Sequence, residues 1–218
     1  MRLVVFDVDG TLVDSQATIL GCMAEAFGSL GLPAPSRAEV LGIVGLSLPQ
    51  AMQTLAPDAD IAALVNTYKD SYHARRMAGN EAQSAPLFPG ARAALDRLNA
   101  REDVILGVAT GKSKRGLDGL IAAHGLAGMF VTQQVADFHP SKPHPSMLHT
   151  ALDEAGVDAA DAVMIGDTTF DMHMAVAAGM PFLGVSWGYH PVHMLDQAHT
   201  VLGAFDALDA ALDEIWST

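Results

Sequence analysis

Two carboxylates, Asp7 and Asp9, stand two positions apart where the apolar run Leu3-Val4-Val5-Phe6 gives way to Gly10-Thr11. In a strand, residues i and i+2 share a face, so the two anions converge, and one pKa rises unless a cation neutralises them. Mg²⁺ suits such hard oxygen ligands. In open parallel sheets ligands bind at the carboxyl ends of strands, so the ends of the other apolar runs are where further site residues are expected.

Each of those ends offers a polar group. The run Val104-Ile105-Leu106-Gly107-Val108-Ala109 ends in Thr110-Gly111-Lys112, a hydroxyl and backbone N–H groups at a helix start, which is a phosphate cradle. Ala162-Val163-Met164-Ile165 ends in Gly166-Asp167-Thr168-Thr169-Phe170-Asp171, with two more carboxylates. Ahead of a further helical pattern, Ser141-Lys142-Pro143-His144-Pro145 presents one cation on a backbone stiffened by proline. The nine histidines form no HxH or HExxH spacing, so no zinc site is expected.

The elements that must hold these groups follow from periodicity. Leu3 to Val8 and the runs at Val104–Ala109, Met129–Thr132, Ala162–Ile165 and Pro181–Val185 are short, apolar and rich in β-branched residues, as expected of parallel strands covered on both faces. Helical patterns alternate with them at Gly90–Ala100, Lys114–His124, Pro145–Ala155 and Asp171–Ala178, which predicts an α/β fold, a doubly wound parallel sheet. Between the first two strands the chain reads as helices only, near Gln16–Leu30, Arg37–Val44, Pro49–Leu55 and Ile61–Met77. The expected domains are therefore a catalytic core from residues 1–14 and 86–218, with an inserted α-helical unit at 15–85 that returns through Ala85 to Gly90. Asp14-Ser15 reads as the N-cap of the first inserted helix, Lys112 as partly solvated though near enough in sequence to touch substrate, and Cys22 as a buried structural thiol. Trp187-Gly188-Tyr189-His190 is either a wall of the pocket mouth or a packing loop.

Composition narrows the function further. Twelve Lys and Arg face 25 Asp and Glu, a net charge of −13 that opposes nucleic acid and anionic lipid, so neither is an expected partner. A phosphorylated substrate must instead be drawn in by a local positive site or a bound cation. Met172 to Leu195 lacks charged side chains, but Gly179-Met180-Pro181 breaks it, and a short helix followed by a strand is expected rather than a membrane span. With no signal-peptide pattern at the start, the expected location is the cytoplasm.

Taken in order, Asp-x-Asp-Gly-Thr at Asp7–Thr11, Thr110-Gly111, Lys142-Pro143-His144-Pro145 and Gly166-Asp167-x-x-x-Asp171 resemble the haloacid dehalogenase superfamily, and the helical insert resembles its C1-type cap. The resemblance implies an Asp7 nucleophile forming an aspartyl phosphate and Asp9 as general acid and base. It also implies Mg²⁺ held by Asp7, the main-chain carbonyl of Asp9 and Asp167, with Asp171 orienting the metal's waters or Lys142. Gly10, Thr11, Thr110, Gly111 and Lys142 are the implied phosphate-binding residues, and the cap turn Gly42-Ile43-Val44-Gly45-Leu46-Ser47, through Gly45 and Ser47, is the implied selector of substrate. Gly45-Leu46-Ser47-Leu48 and Val185-Ser186-Trp187-Gly188-Tyr189 lean toward the phosphoglycolate phosphatase-like branch, whose substrates are small phosphorylated metabolites. Ser141 departs from the glycine that many of that family's members carry before the lysine. Three alternatives remain: a phosphomutase of the β-phosphoglucomutase type, which keeps every motif; a haloacid dehalogenase, which needs neither Asp9 nor a metal; and a non-enzymatic phospho-receiver module, which needs no helical lid.

Overall fold

Leu3, Val4, Val5 and Phe6 are wholly buried because β1 (Arg2–Phe6) runs through the middle of a six-stranded parallel sheet. In the computed structural model, which describes residues 1–79 and 81–217, the strand order is β3-β2-β1-β4-β5-β6. The other strands are β2 (Val104–Thr110), β3 (Phe130–Val135), β4 (Ala162–Gly166), β5 (Phe182–Val185) and β6 (Thr200–Leu202). Val4 and Phe6 belong to the apolar cluster on one face of the sheet, Leu3 and Val5 to that on the other. Helices cover both faces, so both alternating sets of side chains must be apolar, and the strand reads as an unbroken apolar run. Each fully buried large side chain contributes roughly 1.5–3 kcal/mol.

Register then sets the site. Phe6 pairs with Val108 of β2 and with Ile165 of β4, so the chain leaves all three strands at one level, with Asp7, Thr110 and Asp167 along one edge. Chain order reverses between β1 and β4, the switch point where such sheets bind ligands.

The helical stretch after β1 consists of α1 (Gln16–Ser29), α2 (Arg37–Leu41), α3 (Leu48–Leu55), α4 (Ile61–Ala78) and α5 (Glu81–Ser84). Its side chains form a separate apolar cluster that includes Met23, Phe27, Val40, Met52 and Leu64. Ser36 starts α2 with a reciprocal capping box to Glu39, and the Asp60 carboxylate caps α4 by accepting from the Ala63 N–H at 3.0 Å. The two chain crossings into this region are tied together, since Val13 bridges Leu87 antiparallel, Asp14 N–H donates to the Pro86 carbonyl and Phe88 N–H to that of Leu12, both at 2.9 Å. The remaining helices, α6 (Ala91–Asn99), α7 (Lys114–Ala123), α8 (Ser146–Ala155), α9 (Thr169–Ala177) and α10 (Leu208–Trp216), flank the sheet.

The differences from expectation have local causes. The sheet has six strands rather than five because β6 is only three residues long and carries an exposed and a half-buried residue ahead of Leu202, too little for a period to show. The third strand runs on to Val135 through Gln133 and Gln134, whose polarity hides it. The second inserted helix stops at Leu41, with Gly42 as its C-cap. Met172 to Leu195 divides into the end of α9 and β5, and no described helix is long and apolar enough to cross a membrane.

Candidate active site

Asp7 follows β1 directly, and its N–H continues the ladder by donating to the Ile165 carbonyl at 2.9 Å. The next turn hangs on one atom, the Val8 carbonyl, which accepts from the N–H groups of Thr11, Leu12 and Val13. Gly10 turns the chain at φ +88°, and a Cβ there would lie 2.3 Å from Oδ2 of Asp167, so the close approach of loop and carboxylate requires glycine.

Four charged side chains converge behind this turn. Lys142 Nζ donates to Asp7 Oδ1 at 2.7 Å and to Asp171 Oδ1 at 2.6 Å, and all three residues are at most 1% exposed. The other oxygen of Asp171 accepts from the N–H and hydroxyl of Thr168, closing the capping box that starts α9. Asp171 therefore caps its helix and orients Lys142 at once. Asp167 accepts from the Thr11 hydroxyl at 3.0 Å and from Tyr189 N–H at 2.7 Å. One oxygen each of Asp7, Asp167 and Asp171 lies within 4.8 Å of the others.

This set is short of positive charge. Burial, then the neighbouring Asp171 and Asp9 carboxylates, drive Asp7 from 3.8 to about 7 although Lys142 pulls the other way. Asp167 is raised as well, by burial first and then by Asp171 and Asp7. Burial works to depress the Lys142 ammonium, but Asp171 and Asp7 outweigh it and hold it above the ordinary lysine value. Asp7 Oδ2 is buried with no hydrogen-bond partner, an expensive state for a carboxylate oxygen. An unpaired anionic oxygen beside two further carboxylates fits a divalent cation with hard oxygen ligands. The Asp9 carboxylate is not one of the three.

Asp9 is held separately. Its Oδ1 accepts a short hydrogen bond from the Ser15 hydroxyl and pairs with Lys112 Nζ at 2.9 Å. Ser15 occupies the N-cap position of α1 as expected, but its hydroxyl is committed to Asp9, and it is the Asp14 carboxylate that accepts from the Gln16 N–H at 3.3 Å. Ser15 N–H donates to the Tyr189 hydroxyl at 3.0 Å. The partly solvated reading of Lys112 is corrected: its side chain is only 8% exposed, it donates to the Tyr72 hydroxyl of α4 at 3.2 Å, and its ammonium sits 5.2 Å from that ring's centre. Burial opposes its charge, while Asp9 and Tyr72 outweigh burial and hold its pKa well above the usual value.

Asp7, Asp9, Gly45, Ser47, Thr110, Gly111 and Lys112 all line one cavity of about 490 Å³ between the strand ends and the inserted helices. Gly10, Thr11, Lys142, Asp167 and Asp171 are not among its lining residues, and the Thr11 hydroxyl serves Asp167. The Thr110 hydroxyl accepts from Lys112 N–H at 3.2 Å. A Cβ on Gly111 would meet the carbonyl oxygens of Leu46 at 2.6 Å and Gly45 at 2.7 Å, so a side chain there is incompatible with the approach of the loop at residues 42–47. Ser47 N–H reaches across to the Ser141 hydroxyl at 2.8 Å. Trp187 supports the floor, its indole N–H donating to the Thr11 carbonyl at 3.1 Å and its ring packing on Phe205, so residues 187–190 buttress the site from behind. Ser15, Tyr72 and Tyr189 had no sequence signal tying them to Asp9, whereas Lys112 stands two residues past Thr110 at a strand end.

A parallel sheet in this order thus carries an acidic edge, with Lys142 bridging Asp7 and Asp171 and Lys112 paired with Asp9. The profile of the haloacid dehalogenase-like hydrolases matches residues 4–185, and the chain belongs to that family. It is an enzyme of that class. It is 36% identical to the Probable phosphatase IndB of Dickeya dadantii, over 94% of each chain. It is 30% identical to the phosphoglycolate phosphatase of Yersinia pseudotuberculosis, over 91% of this chain and 87% of that protein. Among solved structures, a haloacid dehalogenase-like hydrolase from Streptococcus pneumoniae superposes with a TM-score of 0.84 at 26% identity, over 96% of this chain and 97% of that one.

Proposed function

We propose that the chain is a cytoplasmic, Mg²⁺-dependent phosphatase that cleaves small phosphomonoesters of phosphoglycolate-like type through an aspartyl phosphate on Asp7. The observation that carries this is the unpartnered, buried Oδ2 of Asp7 in the acidic cluster beside the cavity. The names of the relatives, phosphatase and phosphoglycolate phosphatase, support it. Asp7 attacks phosphorus and the ester oxygen leaves, Asp9 supplying the proton that the departing alkoxide needs. Asp9 then takes a proton from water as that water attacks the phosphoryl group, which frees phosphate and restores Asp7. Thr110, the Gly111 N–H and Lys142 hold the phosphoryl oxygens. When bound, Mg²⁺ held by Asp7, the Asp9 carbonyl and Asp167, with Asp171 nearby, supplies positive charge between nucleophile and phosphate.

The inserted helices at residues 15–85 act in this reading as a cap, and two observations support it. Their loop at residues 42–47 lies on Gly111, and Tyr72 contacts the lysine that holds Asp9. Such a cover excludes water that competes with substrate and weakens the site's electrostatics. Phosphate release from a panel of phosphomonoesters tests the proposal: EDTA should silence turnover and Mg²⁺ restore it. Failure to release phosphate from any ester, or a rate unchanged after chelation and dialysis, overturns it.

A further inference from the structure

The helical wall of the cavity carries a row of basic side chains that phosphate transfer does not use. Lys69, His73 and Arg76 recur at i, i+4 and i+7 on α4, so they share one face, and all three line the cavity. That face meets the first turn of α7. Arg115 Nη2 lies 3.0 Å from His73 Nδ1 and 3.2 Å from Nε2, and Arg76 Nη1 donates to the Arg115 carbonyl at 3.1 Å. With Lys112, four of the chain's twelve Lys and Arg line this one cavity, although the protein carries a net charge of −13. Among the described residues neither Lys69 nor Arg115 makes an ion pair. The one acid on this side of the cavity, Asp137, has a carboxylate oxygen committed to the Lys114 N–H at 2.7 Å. Lys69 and Arg115, exposed and outside any such ion pair, focus anions to that spot in an acidic protein.

Size gives the second constraint. Even at the ~30 Å³ that each water takes up in the liquid, the nine non-hydrogen atoms of 2-phosphoglycolate would occupy only about 270 Å³. The cavity measures about 490 Å³. Its lining also includes the apolar and aromatic side chains of Met23, Ile43, Tyr68 and Tyr72, the two tyrosine rings stacked 6.3 Å apart.

We propose that Lys69, His73 and Arg115 form a second oxyanion subsite, so that the preferred substrate is a phosphomonoester whose alcohol ends in another acid group, beyond an apolar body longer than that of phosphoglycolate. The proposal rests on the phosphatase reading and narrows its substrate class. The far group is a carboxylate or a second phosphate; both accept from guanidinium and ammonium donors.

The test compares kcat/KM for four esters: phosphoglycolate, a phosphonooxypentanoate with its carboxylate at the far end, the corresponding amide, and pentanediol bisphosphate. The acid or the bisphosphate should exceed the amide by about tenfold or more, the worth of one charge-assisted hydrogen bond, and should exceed phosphoglycolate. Whichever of the two is faster identifies the far group. In the double variant Arg115→Gln, Lys69→Gln, checked for folding by circular dichroism, the charged-to-neutral ratio should collapse toward one, whereas Arg115→Lys with Lys69 native should keep it. Equal rates for acid and amide in the wild type, or a ratio that survives the double substitution, overturn the subsite and leave the phosphatase standing. Should no ester release phosphate, calorimetric binding of phosphonohexanoate decides: weaker binding to the double variant keeps the subsite while the phosphatase reading falls, and equal binding overturns both.

Discussion

On the sheet side of the cavity Asp7, Lys142, Asp167 and Asp171 are buried and bonded to one another or to the turns that carry them. On the helical side Lys69, His73 and Arg115 are exposed, with Arg115 resting on the His73 ring. The contrast separates two tasks. In the buried set one lysine stands against three carboxylates, so removing that cation would leave acids uncompensated in a low-dielectric surround. An exposed row loses little when one charge is exchanged, since solvent screens the remainder. On the proposed reading, chemistry belongs to β1, β2 and β4 and the loops after them, and selection to a helical surface that can vary without unfolding the protein.

The largest effects should fall on the buried side. Asp7→Asn should abolish turnover, yet its thermal midpoint should be no lower than wild type above neutral pH. Asparagine removes the charge whose burial raises Asp7 to about 7, and Lys142 keeps Asp171 as its partner. Lost activity with undiminished stability is the pattern expected of a functional rather than a structural carboxylate. Asp9→Asn should slow turnover by about a hundredfold or more and let phosphoenzyme accumulate, as for loss of a general acid and base. Full activity in either variant, measured as phosphate release, would break the division of labour.

Why the buried side was legible and the exposed side was not follows from the same contrast. Asp7, Thr110 and Asp167 sit at the ends of apolar runs that a covered parallel strand requires, so pattern and edge found them together. Lys142 and Asp171 follow from short spacings around Pro143 and Gly166. The support behind Asp9 was not legible, because the Ser15 that donates to it meets Tyr189 across 174 positions and no local period links them. Ser15 even carried a misleading signal, being a good cap residue in a cap position whose hydroxyl is used elsewhere. The Lys69, His73 and Arg76 row was present as a helical period, but a polar stripe on a helix reads as solvated until α7 is seen against it.

Metal binding should show an intermediate effect, with a pH signature. The folded-state pKa of Asp7 lies above its unfolded value of 3.8, so the native state favours the protonated form. Its stabilising contribution is complete below about 3.8 and is lost as pH rises through about 7. A cation needs the deprotonated form, so Mg²⁺ should bind with release of a proton, and its apparent affinity should fall by up to about tenfold for each pH unit below about 7. Calorimetry in buffers of different ionisation enthalpy measures the proton count directly. Affinity that is flat from pH 8 to pH 5.5 would remove Asp7 from the metal site.

The smallest effect belongs to the seam between the two sides, where Ser47 N–H donates to the Ser141 hydroxyl. Ser141 immediately precedes Lys142, so this bond ties the loop that lies over the cavity to the segment that delivers the buried cation. It is partly buried, and a neutral hydrogen bond of that kind is worth about 0.5–1.5 kcal/mol. Removing it weakens the closed arrangement without touching a group that meets phosphorus. Ser141→Ala should therefore raise KM by no more than about fivefold, the equivalent of ~1 kcal/mol, and leave kcat within about twofold. Alanine is the better replacement because glycine adds backbone freedom of its own, worth roughly 0.4–1 kcal/mol in the unfolded chain. Comparing the two separates the bond from the backbone: the KM effect should be shared, and only glycine should lower the thermal midpoint further. If kcat falls tenfold in the alanine variant, the hydroxyl is instead placing Lys142, and the seam belongs with the buried side.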